Sequence, residues 1–128
     1  MLVTDACCTL VPYFEVQDGQ LAAFQTLGAR FVEKTRSESG CIHYAFSFNG
    51  HIAHCREGYE NAAAVLAHLD NVGALLDEAL KIAKIIRLEV HGPAEELEIL
   101  KEPLAELNPE FFALLPGLRR AGEAAIPS

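Results

Sequence analysis

At 128 residues, about half of them apolar, the chain has the length of one domain and can bury roughly two thirds of its unfolded surface in a packed core. Its 18 acidic and 10 basic residues leave a net charge of −8, which repels phosphate backbones and anionic lipid, so neither nucleic acid nor a membrane surface is an expected partner. No apolar run approaches the ~20 residues of a membrane span, and Met1 to Cys8 lack the basic and long apolar segments of a signal peptide, which points to a cytoplasmic protein. The four cysteines (Cys7, Cys8, Cys41 and Cys55) form no CxxC pair, and so read as reduced thiols packed as small hydrophobes.

Residues 8–16 predict a strand, with Pro12 as a blemish because proline cannot donate to a ladder and prefers sheet edges. Asp18 caps an expected helix running through Ser37, in which Leu21, Phe24, Leu27, Phe31 and Val32 recur at helical spacing. Gly40 is expected to end that element in a left-handed conformation.

Cys41 to Phe48 and His51 to Tyr59 predict two strands joined by Asn49 and Gly50, a pair favoured in a type I′ turn. In that register Phe48 opposes His51, Tyr44 opposes Cys55 and Ile42 opposes Glu57. One face then carries Ile42, Tyr44, Phe46, Phe48, Ala53, Cys55, Glu57 and Tyr59. The other carries Cys41, His43, Ala45, Ser47, Ile52, His54 and Arg56. The first face is aromatic and apolar and belongs under helices, with Glu57 as the exception.

Asn61 caps an expected short helix through Leu69, and Asp70 or Asn71 starts another that runs to around Ala83. A fourth strand, Ile85 to His91, alternates Ile86, Leu88 and Val90 with Arg87, Glu89 and His91. Gly92 and Pro93 open a third helix, with Glu95 and Glu96 in its first turn and Pro103 as its stop. The tail from Leu104 to Leu115 holds the Phe111-Phe112 pair, and the last ten residues read as loose. The order is β-α-β-β-α-β, so the expected fold is α+β, a ferredoxin-like split βαβ with a four-stranded antiparallel sheet, a core at about 8–92 and a helical or extended extension over 93–128. Such a sheet has helices on one face only. Its second face, with Ile52, Ala45 and Cys41 among His43, His54 and Arg56, is too apolar for water and predicts a homodimer that packs sheet on sheet.

Three segments carry a resemblance: Glu38 to Tyr44 (Glu-Ser-Gly-Cys-Ile-His-Tyr), Cys55 to Tyr59 (Cys-Arg-Glu-Gly-Tyr), and Ala62 to Ala67 followed by His68 and Leu69. Over roughly Thr9 to Gly92 the chain resembles the antibiotic biosynthesis monooxygenase family of dimeric α/β-barrel proteins. The resemblance implies a pocket between sheet and helices that takes a small aromatic or apolar molecule. It implies His68 as proton acceptor or substrate hydrogen-bond partner, and Tyr44 and Tyr59 as phenol donors and stacking surfaces. Glu57 is the carboxylate among them, and Phe24, Leu27 and Phe46 complete the expected substrate-binding walls. The family often has tryptophan where Tyr59 stands, and this chain has none.

The implied activity is a monooxygenase of a phenol or quinol that uses no cofactor and no metal. The alternatives are a ligand-binding or stress-responsive dimer without chemistry, a haem-binding or haem-degrading protein, and an isomerase or decarboxylase of a small keto compound. Absence of tryptophan and a bulky aromatic face argue against haem. His43 and His54 lie diagonally on one face, but a zinc site needs a third ligand and only Cys41 is near. No glycine-rich phosphate loop follows a strand and no Gly-x-Ser-x-Gly is present, which leaves nucleotide binding and the usual hydrolase elbow without support.

Overall fold

The computed structural model describes residues 1–120. Its elements are β1 (Leu2–Asp5), β2 (Cys8–Val16), α1 (Leu21–Thr35), β3 (Cys41–Asn49), β4 (Ile52–Tyr59), α2 (Ala62–Ala79), β5 (Ala83–Gly92), α3 (Ala94–Lys101), a 3-10 turn at Ala105–Leu107, β6 (Glu110–Ala113) and β7 (Gly117–Arg120). The main sheet has the order β3-β4-β2-β5-β6. Its first four strands are antiparallel and form the expected ferredoxin-like α+β core. β6 then adds a fifth strand parallel to β5, so the sheet is mixed and the Phe111-Phe112 tail is part of it. The sheet is open within one chain. β1 pairs with β7 in a separate two-stranded ribbon. Of the ten terminal residues expected to be loose, Arg119 and Arg120 lie in β7 and residues 121–128 lie outside the described residues. Among the described residues no helix is long and apolar enough to cross a membrane.

Several elements differ from the sequence expectation for identifiable reasons. Pro12 lies in the central strand β2, and the ladder to β4 opens there: pairing runs from Cys8 to Leu10 and resumes at Tyr13. The carbonyl of Pro12 is instead engaged by His54 Nδ1 at 2.9 Å. α1 begins at Leu21, not Asp18, because Gly19 adopts φ +78° and turns the chain ahead of the helix. Gly40 does not take a left-handed conformation. It serves close approach: a Cβ there would lie 2.6 Å from the Ala64 Cβ of α2.

The hairpin loop is Gly50-His51, one residue later than expected, with Gly50 at φ +59° in the first central position, as in a type II′ turn. The register moves by two residues, so Phe48 opposes Ala53, Phe46 opposes Cys55 and Tyr44 opposes Glu57. An even shift preserves the faces. A bulge between Cys41 and His43 reverses them locally: Ile42 is exposed and Cys41 packs against the buried cluster under the helices. A second irregularity, opposite Tyr13 and Phe14, exposes Ile86 and gives its inward place to Ile85.

The two helices expected between Asn61 and Ala83 are one helix of 18 residues. Asn61 caps it, its side chain accepting from the Ala64 amide at 2.9 Å. Asp70 and Asn71 continue it because Val65, Val72, Leu75 and Ala79 keep one buried stripe in phase through them.

All three helices cover one face. Beneath them the buried side chains divide into two clusters. One gathers Cys8, Leu10, Tyr59, Val65, Leu88, Val90 and the α3 leucines. The other gathers Phe14, Phe24, Leu27, Phe31, Ala53, Val72 and Leu75. The helical face of the sheet is therefore packed at both ends, with a seam between the clusters.

Candidate functional site

A cavity of about 50 Å³ occupies that seam. Leu10, Leu88 and Leu104 line it from one cluster and Phe14, Phe24, Phe31 and Val72 from the other. Almost every lining side chain is apolar. The polar exceptions, Glu57, His68, Tyr44 and Cys55, gather where β3 and β4 pass beneath α2. Tyr44 and Glu57 are cross-strand partners, and Cys55 and Glu57 alternate along β4 to the same face. His68 comes from the middle of α2.

His68 is 2 % exposed and Glu57 6 %, so both sit away from water. Nδ1 of His68 lies 3.0 and 2.9 Å from the two carboxylate oxygens of Glu38, in the middle of the loop between α1 and β3. Asn71, one helical turn beyond His68, donates to Glu38 Oε2 at 2.7 Å and to the Lys34 carbonyl at 3.0 Å. Facing a carboxylate, Nδ1 carries the proton, and Nε2 is left as an acceptor turned toward Glu57, whose Oε1 is 3.7 Å away. Burial lowers the His68 pKa below its ordinary 6.5, against the opposing pull of Glu38, so the ring is neutral at pH 7.

Burial acts on Glu57 in the opposite sense, raising its carboxyl pKa from 4.5 to about 8. The Tyr59 hydroxyl donates to Glu57 Oε1 at 2.6 Å. Cys55 lies between Tyr44 and Glu57 and interacts with both. Burial drives both phenols and this thiol well above their usual ranges, so all three remain protonated. The rings of Tyr44 and Tyr59 lie 4.9 and 5.2 Å from that of His68. The cluster therefore holds a proton on Glu57 and an unprotonated lone pair on His68 Nε2, side by side.

Of the seven residues singled out from the sequence, the structure brings Phe24, Tyr44, Phe46, Glu57 and His68 to the cavity wall. Tyr59 is fully buried behind Glu57, and Leu27 is buried in the aromatic cluster; neither lines the cavity. Glu38 and Asn71 carry no sequence expectation as site residues. Asn71 was accessible to one, since i and i+3 share a helix face. Glu38 was not, because only the close seating of the loop before β3 on α2 brings it to His68.

Among the described residues no group of three or more His, Cys, Asp or Glu side chains is arranged to hold a metal ion. His43 and His54 lie on the outer face of the sheet, and the bulge that turns Cys41 inward separates it from them.

The sequence matches the antibiotic biosynthesis monooxygenase family over residues 8–75. MupZ from Pseudomonas fluorescens has a crystal structure that superposes with a TM-score of 0.86 at 47 % identity, covering 91 % of this chain and 97 % of that one. The chain belongs to the antibiotic biosynthesis monooxygenase family. No curated protein sequence matches. Rv0793 from Mycobacterium tuberculosis (18 % identity, TM-score 0.61, 69 % of this chain and 95 % of that one) shares the fold. So does SO0527 from Shewanella oneidensis (19 %, 0.58, 70 % and 92 %). The family match takes in Glu38, Tyr44, Glu57 and His68. Ile85, Leu88, Leu104 and Leu107, which line the other part of the cavity, fall after it.

Proposed function

We propose that the chain binds a small, largely apolar, oxygen-bearing molecule and moves protons on it, with His68 Nε2 as base and the Glu57 carboxyl as acid. The observation that carries this reading is the juxtaposition, at 3.7 Å in a buried pocket, of an imidazole acceptor and a carboxyl held protonated by burial. A pair whose environments push their pKa values into opposite protonation states has its roles assigned. His68 takes a proton from one position of the substrate and Glu57 gives one to another, which isomerises it. The proton on the imidazolium then passes to the Glu57 carboxylate, and the pair is reset with no net gain or loss. Glu38 acts as a positioning residue: it fixes the tautomer and aim of His68, and Asn71 fixes Glu38.

A second reading, favoured by the family match, is cofactor-independent monooxygenation of a phenol or quinol. His68 would remove a proton, and the carbanion would combine with dioxygen to give a hydroperoxide. The imidazolium would return its proton to the peroxide, His68 would take the second hydrogen of that carbon as a proton, and Glu57 would protonate the departing hydroxide as the O–O bond breaks and the carbon becomes a carbonyl. One oxygen atom enters the product and the other leaves as water, the substrate carbon supplying the electrons. The outer sheet face supports a homodimer, since Ile52 and His54 are half-buried there and none of the described helices covers them.

Titrating His68 by ring ¹⁵N and Glu57 by side-chain ¹³C NMR tests the pair without knowledge of the substrate. The expected result is a neutral His68 with its proton on Nδ1 and a Glu57 transition near pH 8. A Glu57 that ionises below pH 5, or a cationic His68 at pH 7, overturns the assignment.

A further inference from the structure

The cavity is too small for the molecule it is proposed to take, and the inference drawn from this rests on the reading that a small molecule reaches His68 and Glu57. Its volume is about 50 Å³, whereas a dry protein cavity that accepts benzene has ~150 Å³. A ligand of six carbons therefore needs part of the wall to move. Most of the wall is held by backbone bonds or packed rings. β2 is laddered on both sides, to β4 and to β5. α2 is tied to α1 by Asn71, which donates to the Lys34 carbonyl at 3.0 Å. Phe46 stands edge-on to Phe24 (84°) and to Tyr44 (87°). Residues 103–108, between α3 and β6, are held differently. Only Leu104 and Leu107 of this segment line the cavity, Leu104 at 1 % exposure and Leu107 half-buried. Pro103, Ala105, Glu106 and Asn108 are exposed. The backbone bonds of the segment are local: the Leu104 amide donates to the Leu100 carbonyl at 3.1 Å, Leu107 to Leu104 at 3.0 Å and Asn108 to Ala105 at 3.1 Å. Among the described residues no hydrogen bond or ion pair ties 103–108 to the sheet or to α2.

The elements on either side are anchored. Glu96 of α3 accepts from the Ala62 amide at 2.8 Å, and β6 pairs with β5, where the Leu114 amide donates to the Gly92 carbonyl at 2.7 Å. The backbone changes direction at both ends of the segment. Pro103 cannot continue the ladder of α3, and Asn108 turns the chain at φ +54°. The segment also lies beyond the 8–75 family match, so it is a feature of this chain and not of the family model. We infer that residues 103–108 form a strap that admits ligands to the site: closed, Leu104 and Leu107 fill the space a ligand takes, and the strap swings out about Pro103 and Asn108 to free it. Lifting it exposes two leucines but breaks no hydrogen bond to the sheet or to α2. Moving α2 instead would break the bonds of Asn71 and His68 to Glu38. Glu57, His68 and Glu38 come from other elements, so the acid–base pair keeps its geometry while the strap moves.

Methyl ¹³C relaxation dispersion on the intact, leucine-labelled protein tests this, with benzene as the probe ligand. Leu104 and Leu107 are expected to share one exchange process that is absent from Leu10 and Leu88, which line the same cavity from the sheet. Asn108→Val puts a β-branched residue at a positive φ that only the closed strap requires, at a position outside the cavity wall. It is expected to raise the open population at least threefold. Benzene affinity, read from methyl shifts, should rise by the same factor, because a ligand that binds only the open state gains in proportion to its population. Leu107→Ala, which removes one of the two anchoring side chains, is expected to act in the same direction should Asn108→Val not fold. No exchange at Leu104 and Leu107, exchange centred on Leu69 and Leu76 of α2, or benzene affinity unchanged as the open population rises each overturns the inference. The acid–base reading fails separately, in the titration of His68 and Glu57, since neither benzene binding nor the strap needs their protons.

Discussion

His68 and Glu57 make the residue-scale consequences calculable. With a base that is neutral above a lowered pKa and an acid protonated up to about pH 8, activity is expected to be level from below pH 6.5 to about 8 and to fall above it. The sequence alone suggests a rise through pH 6–7 for an ordinary histidine; burial moves that limb lower. In a turnover assay, His68→Ala is expected to lower the rate by ~10²–10⁴-fold with stability within about 2 kcal/mol of wild type. Glu38→Gln should lower it less and shift the acidic limb, whereas a purely structural carboxylate would leave that limb in place. The same groups affect folding. The raised pKa of Glu57 means that the folded state holds more protons than the unfolded one between pH 4.5 and about 8, so its contribution to stability falls as pH rises through that window. His68 opposes this only below its ordinary 6.5. From pH 6.5 to 8 the loss is therefore expected to reach about 2 kcal/mol, and Glu57→Gln should flatten it in denaturant titrations at a series of pH values. Glu57 and His68 were legible in the sequence as polar residues set in apolar patterns. Glu38 was not, since its partner is 30 positions away and no periodicity links them.

At the scale of elements, the alternation of β3 and β4 was enough to define which side chains face the helices, even though the loop sits one residue later. The two bulges were invisible because an inserted residue leaves no mark in composition: Ile42 and Ile86 look like inward residues and are exposed. The continuity of α2 was missed for a related reason. Asp70 and Asn71 read as a cap, but their local preference is overridden by a buried stripe that runs through them. Gly40 is another position where packing decides. Gly40→Ala would drive a Cβ to 2.6 Å from that of Ala64, and is expected to cost ~1–3 kcal/mol in chemical denaturation. Gly40→Ala combined with Ala64→Gly should recover part of that cost, because the contact is between two side-chain carbons.

For the whole molecule, the split βαβ order and the one-sided helical layer followed from element order, while β6 did not. Glu110–Ala113 is too short and too plain to declare itself a strand, and it becomes one by lying beside β5. The uncovered face leads to a prediction at this scale. Sedimentation at micromolar concentration is expected to show a dimer, and Ile52→Asp to shift it toward monomer with little change in the midpoint of unfolding. A monomeric wild type would leave the outer face without its proposed cover.

The ribbon of β1 and β7 joins the two ends of the described chain through four residue pairs and takes no part in the main sheet. Two strands of that length are marginal on their own, and Leu2 and Leu118 on them are exposed. In native-state hydrogen exchange the amides of Leu2–Asp5 and Gly117–Arg120 should therefore lose protection first, as a unit, while those of β2 and β5 exchange only through global opening. None of the cavity wall comes from the ribbon. Opening of the ribbon is expected to leave the pocket's shape unchanged, which makes Leu2–Asp5 and Gly117–Arg120 the place to attach a label, a surface tether or a fused protein.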